Sequence, residues 1–177
     1  MKLDTSEPPA MHKIRPFECM RLLMATALGL GLLPGAPGTW GTLLGVLIHF
    51  FVIVSLPVEY ISGALALALL MVCAGNIALA PWAMEYWKAK DPSRFVLDEV
   101  AGYLVVPLLF RHGEAWQVML WGFLLFRLFD IIKIPPARQI DRMMSGGWGI
   151  LLDDLVSGLY AALVMYAFRW MGALAGV

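Results

Sequence analysis

The sequence predicts an all-α, polytopic integral membrane bundle with five full spans and a short re-entrant or interfacial first helix; six spans is the alternative. Three observations lead there. The 177 residues are 60% hydrophobic and only 15% charged, against about 45–50% apolar and about 25% charged in soluble domains. Mean hydropathy is +0.76. The apolar residues fall into six runs near the length a bilayer demands, and the acids stand at the ends of those runs. One membrane-embedded catalytic domain, 1–177, with a cytoplasmic tail over 1–16, is the expected organisation.

The first run, 17–33, holds Gly29 and Gly31 within its uncharged part, so it is expected to dip into the membrane rather than cross it. Lys13 and Arg15 precede it as in a secretory signal, but LPGAPGTWG follows where a small-residue cleavage site belongs. The runs 60–84, 115–133 and 150–172 reach the roughly 20 residues of a spanning helix, while 41–57 and 95–110 are at the short end.

Antiparallel spans put the connections 34–40, 85–94 and 134–149 on one side and the short 58–59 and 111–114 on the other. Acids at span boundaries gather on the first side: Asp98 and Glu99 open the fourth run, Asp130 closes the fifth, and Asp153 and Asp154 open the sixth. Lys88, Lys90, Arg94, Arg127, Lys133, Arg138 and Arg142 share that side, against Arg111 and Arg169 opposite. If the first run does not cross, Lys2, Lys13, Arg15 and Arg21 join them, and the bias of eleven to two makes the acidic side cytoplasmic.

Asp98-Glu-Val-Ala-Gly102 and Asp154-Leu-Val-Ser-Gly158 repeat one pattern. Asp and Gly four apart lie on one helical face, and the glycine lets a neighbouring helix approach beneath the carboxylate. The helix dipole accounts for one acid in a first turn. It does not account for Asp98, Glu99, Asp153 and Asp154 together, because crowded carboxylates repel. A hard cation relieves them, so Asp98, Glu99, Asp130, Asp153 and Asp154 are the expected ligands of Mg²⁺, with Mn²⁺ able to substitute. Arg127, Asp130 and Lys133, three apart before Pro135 and Pro136, read either as snorkelling cations with a salt bridge or as a phosphate clamp beside the metal.

The stretch Gly31–Thr42 carries glycines, prolines, Thr39 and Thr42 ahead of the second run. Its backbone around Gly38 and the two hydroxyls suit a phosphate cradle at a helix N-terminus. Gly147 and Gly149, just before Asp153, suit the same role. His12, His49 and His112 share no face, Asn76 and Pro81 mark a hydrogen bond and a kink, and Cys19 and Cys73 are expected to be buried structural thiols. Zero formal net charge gives no sign of nucleic-acid binding, and no obligate protein partner is implied.

Taken in order, LPGAPGTWGT (33–42), LDE with Gly102, FRLFDIIK followed by Pro136, and IDRMMSGGWGILLDDLVSG (140–158) resemble the bacterial phosphatidylglycerophosphatase A family. The resemblance implies an inner-membrane, Mg²⁺-dependent phosphatase that converts phosphatidylglycerophosphate, a bilayer phospholipid, to phosphatidylglycerol. It carries over acidic positions at Asp98, Glu99, Asp130, Asp141, Asp153 and Asp154 and basic ones at Arg127, Lys133 and Arg142. The family tends to place Pro directly after its motif Lys, whereas Ile134 intervenes here.

Catalytic roles then fall to Asp98, Glu99 and Asp154, with Glu99 taking the proton of an attacking water; an aspartyl-phosphate intermediate is equally allowed. Cys-x₅-Arg, Pro-Ser-Gly-His and D-x-D-x-[T/V] phosphatase motifs are absent from the sequence. A small ion- or proton-coupled transporter using the same carboxylates is the competing class. Transport sites usually lie at mid-membrane, and these acids stand at helix ends.

Overall fold

The computed structural model describes residues 16–144 and 146–172; of the expected cytoplasmic tail, residues 1–15, with Lys2, His12, Lys13 and Arg15, lie outside them. The described residues form seven α-helices: α1 (Pro16–Ala25), α2 (Pro37–Ser55), α3 (Val58–Trp87), α4 (Leu97–Leu109), α5 (Ala115–Ile132), α6 (Ala137–Met143) and α7 (Gly147–Trp170). The fold class agrees with the sequence. The span count differs, because four helices, α2, α3, α5 and α7, are long and apolar enough to cross a membrane.

α4, expected as a fifth span, has 13 residues. At about 1.5 Å per residue that is about 20 Å, short of a hydrocarbon core of about 30 Å. It need not reach, because the longer helices α2, α3 and α7 wrap it and bury Val100, Ala101, Tyr103, Leu104 and Val106. Pro107 removes a backbone donor near its end. A capping box between Glu114 and Gln117 then starts α5.

The first helix is short, as expected. After ten residues the chain enters the left-handed region at Ala27, Leu28 and Gly29 and makes a 3-10 turn over Leu30–Leu32. Thr26 stabilises the reversal by giving its hydroxyl to Leu22 and accepting the Gly29 N–H. The Val96 N–H donates to the Ala25 carbonyl at 3.3 Å, so α1 ends beside the start of α4. Outward residues such as Phe51, Leu70, Met71 and Leu163 are apolar and exposed, as a lipid-facing surface requires. Cys19, expected to be buried, is exposed as well, and Cys73 is half-buried, because each stands on an outward part of its helix.

α6 is the element that periodicity does not announce. Seven residues after the Pro135-Pro136 stop are too few for a hydrophobic signature. It packs against α7 at the acidic end of the bundle.

Candidate active site

The site is built on the crossing of α4 and α7. A side chain at Gly158 would overlap the Gly102 carbonyl, and one at Gly102 would strike the Phe126 ring and the Asp154 carbonyl. The absent side chains let two backbones touch, and each glycine lies one turn beyond an aspartate. The repeated Asp-x-x-x-Gly pattern therefore joins two helices acid to acid. With its amide oriented by its partners, Asn76 of α3 accepts the Asp98 N–H at 3.2 Å and donates to the Gly147 carbonyl at 3.1 Å. One side chain thereby ties both acid-bearing helices to α3.

Asp98, Glu99 and Asp154 each present a carboxylate oxygen within 4.8 Å of the others. Asp98, Asp153 and Asp154 are at most 6% exposed. Asp98 Oδ1, Glu99 Oε2, Asp153 Oδ1 and Asp154 Oδ2 are buried with no hydrogen-bond partner. A buried carboxylate oxygen without a donor is unfavourable by several kcal/mol, so four together describe a site shaped for a positive ligand. All donors are hard oxygens, which fits Mg²⁺.

The remaining acids are engaged by cations of this chain. Arg127 Nη1 donates to Asp130 at 2.7 Å. Lys133 Nζ lies 2.5 Å from Asp153 and 3.4 Å from Asp141. Of the five acids expected as ligands, three converge and two sit in ion pairs. Lys133 ends α5 in a left-handed conformation with φ 49° and lines the same cavity as Arg127. That backbone is unfavourable by about 1–2 kcal/mol, and it turns the side chain toward α7. Burial alone would lower the affinity of Lys133 for its proton. The Asp153 hydrogen bond and the charges of Asp153, Asp141 and Asp154 outweigh burial and hold the ammonium above the ordinary lysine range.

These groups line a cavity of about 260 Å³ together with Ala36, Pro37, Gly38, Asp91 and Ser93. At Gly38 a Cβ would overlap Glu99 Oε1 and come within 2.9 Å of the Arg127 guanidinium. Glycine here makes room for both charged groups. Thr42 is buried and gives its hydroxyl to the Gly38 carbonyl at 2.8 Å, within its own helix. Thr39 and the exposed Arg142 do not line the cavity. Asp141 stands outside it and accepts Lys90 Nζ on its backbone carbonyl at 2.7 Å. Gly147 and Gly149 are packing positions, the first against Ile77 and Ala80 and the second against Met144.

The sequence reading missed Asp91 and Ser93, which stand on the α3–α4 connection and line the cavity. Their signal was weak: a polar loop on the acidic side, without periodicity. Burial raises the Asp91 carboxyl above its usual range, opposed by Lys133 and reinforced by Asp141 and Asp130.

The family model described as phosphatidylglycerophosphatase A matches residues 23–169. A Haemophilus influenzae phosphatidylglycerophosphatase A is 35% identical over 150 residues, 84% of this chain and 89% of the relative. A phosphatidylglycerophosphatase A of Escherichia coli K12 is 32% identical over 144 residues, 81% and 80% of the two chains. A Bacteroides thetaiotaomicron protein, provisionally named a phosphatidylinositol-3-phosphatase, is 31% identical over 151 residues, 85% and 94% of the two. No solved structure matches.

Proposed function

The chain belongs to the phosphatidylglycerophosphatase A family, and from that premise we propose that it hydrolyses the terminal phosphomonoester of phosphatidylglycerophosphate, using Mg²⁺ at Asp98, Glu99 and Asp154. The products are phosphatidylglycerol and inorganic phosphate. The observation that carries the reading is the set of buried, unpartnered carboxylate oxygens beside two cavity-lining cations. Acids without cations would suit an ion path; acids and cations together suit a phosphate bridging them.

Mg²⁺ bound there, or Mn²⁺ in its place, supplies polarisation of a phosphoryl oxygen and a more acidic water. The chain's own residues do the rest. Arg127 and Lys133 take the negative charge of the monoester, as phosphoryl transfer requires. Ala36, Pro37 and Gly38 bring the N-terminus of the 19-residue α2 to the cavity, a further favourable end for an anion. Glu99 takes the proton of a water attacking phosphorus on a carboxylate oxygen left free of the metal, and that proton passes to the glycerol oxygen as its bond to phosphorus breaks. Attack by Asp98 or Asp154 to give an acyl phosphate is the alternative route, distinguished by trapping labelled phosphate on the protein.

The basic residues at this end of the bundle support a cytoplasmic site in a bacterial inner membrane. The test is phosphate release from detergent-solubilised phosphatidylglycerophosphate, and in parallel from phosphatidylinositol 3-phosphate, with Mg²⁺ or EDTA. We expect release from the first substrate in Mg²⁺ alone. Equal release in EDTA overturns the metal assignment, and release only from the inositol lipid overturns the head group.

A further inference from the structure

The cavity that holds the carboxylates has a neighbour. A second cavity of about 260 Å³ is lined by Trp87, Ala89, Asp91, Pro92, Ser93 and Arg94. Asp91 and Ser93 line both, so the two spaces meet across one pair of polar side chains. The first is anchored by Arg127 and Lys133, the second by Arg94.

Arg94 is exposed and, among the described residues, makes no ion pair with a side-chain carboxylate. By contrast, Arg127 and Lys133 are both engaged. Trp87 joins the second cavity to an aromatic cluster. Trp82, Tyr86 and Trp87 stack and cross edge to face on the last turns of α3, and such amphipathic rings mark the level of lipid head groups. A phosphatidylglycerophosphate head group carries two phosphates of different chemistry, a terminal monoester and a diester that joins the acylated glycerol, separated by a hydroxyl-bearing glycerol.

We infer that the cavity beneath Arg94 is the subsite for the substrate's phosphodiester, with Asp91 and Ser93 reading the glycerol hydroxyl between the two phosphates. The inference rests on the proposed lipid phosphatase reading. Arg94 supplies two N–H groups to the diester oxygens. Asp91 accepts from the glycerol hydroxyl and Ser93 can donate to it or accept from it. The acyl chains then leave past the aromatic cluster into lipid. Two phosphate stations at a fixed spacing select lipids whose monoester and diester are one glycerol apart, so Arg94 is a specificity residue and takes no part in bond breaking.

The test crosses two variants with two partial ligands, using the full chain in detergent. Arg94→Gln should raise KM for phosphatidylglycerophosphate about tenfold with kcat within about twofold, the loss of one charge-assisted contact. Arg94→Lys, which restores the charge without the forked contact, should recover part of it. By calorimetry, short-chain phosphatidylglycerol, which keeps the diester and lacks the monoester, should bind about tenfold more weakly to Arg94→Gln and nearly normally to Lys133→Gln. Inorganic phosphate as an inhibitor should show the reverse.

An unchanged KM in Arg94→Gln overturns the subsite. So does equal weakening of phosphatidylglycerol and phosphate by that variant, which would mark Arg94 as a general attractor of anions. If the unmodified protein does not hydrolyse phosphatidylglycerophosphate, the function proposed above fails. The phosphatidylglycerol-binding arm still reads Arg94 in that case.

Discussion

The two ends of α4 handle polar groups in opposite ways. At its first turn Asp98 and Glu99 are packed against Asp154 with oxygens that no donor reaches. Just beyond its last turn lies the larger cavity, about 600 Å³, lined by His49, Ser62, Arg111 and Tyr166 among others. There the acid, Glu59, is exposed to solvent, and other polar groups have found partners: His49 Nδ1 meets Tyr103 Oη at 3.1 Å, Arg111 reaches Ser62, and Tyr166 donates to the Leu109 carbonyl at 2.8 Å. The difference teaches that buried unsatisfied charge, and not volume, distinguishes the candidate site. A satisfied network has little left to offer a ligand.

The most severe way to sharpen that contrast is to neutralise one converging acid. Asp98→Asn or Asp154→Asn keeps the volume and removes one charge of the proposed cation site. Phosphate release should fall at least about a thousandfold, since charge stabilisation by a bound cation supplies several kcal/mol of the barrier reduction. The circular dichroism spectrum should remain helical and the melting temperature should hold or rise, because a repulsive buried charge has gone. Retained activity in both variants would strip the site end of its distinction.

Next in size is Lys133→Gln. It removes one of the two cations proposed to hold the phosphate and leaves Asp153, 3% exposed, without its Lys133 partner. We expect a loss of about a hundredfold in kcat/KM, with partial recovery in Lys133→Arg, and lower thermal stability because breaking a buried pair strands the other charge. A smaller effect is expected at the helix crossing. Gly158→Ala sets a methyl group against the Gly102 carbonyl and 3.0 Å from Val105 Cβ. Overpacking of this kind destabilises by about 1–3 kcal/mol, read as a lower melting temperature, with activity reduced about tenfold as the acids move apart.

Much of this contrast was legible in the sequence. Acids at three run ends, alternating span directions and the two Asp-x-x-x-Gly patterns placed Asp98, Asp130 and Asp154 at one end. What sequence could not divide was the set of five carboxylates. Asp153 and Asp154 are adjacent, yet one helical step of about 100° sends the first to Lys133 and the second to Asp98 and Glu99. Only the packing of α5 and α7 decides that. Lys133 lines the cavity with Arg127, but the left-handed backbone that ends α5 there is invisible to helical spacing. Asp91 and Ser93 were missed because loop residues carry no period. The fifth span failed on the same ground as the rest: apolar content reports burial, and α4 is buried by protein along most of its length.

The smallest effect on activity tests the quiet end. His49→Phe keeps the ring and deletes the group that meets Tyr103 Oη, leaving a fully buried tyrosine without that partner. Such an orphan is unfavourable by about 1–3 kcal/mol, so the melting temperature should fall measurably, and His49→Gln should recover part of it. Phosphate release should nevertheless stay within about twofold. Tyr103 is one turn beyond Glu99, so a disturbance has a short route to the site. Two anchors stand in that route: the contact of Gly102 with Gly158, and the two bonds of Asn76. Both hold the first turn of α4 independently of what happens around His49. A tenfold loss of activity in His49→Phe would mean that α4 moves as one rod and that its two ends are coupled.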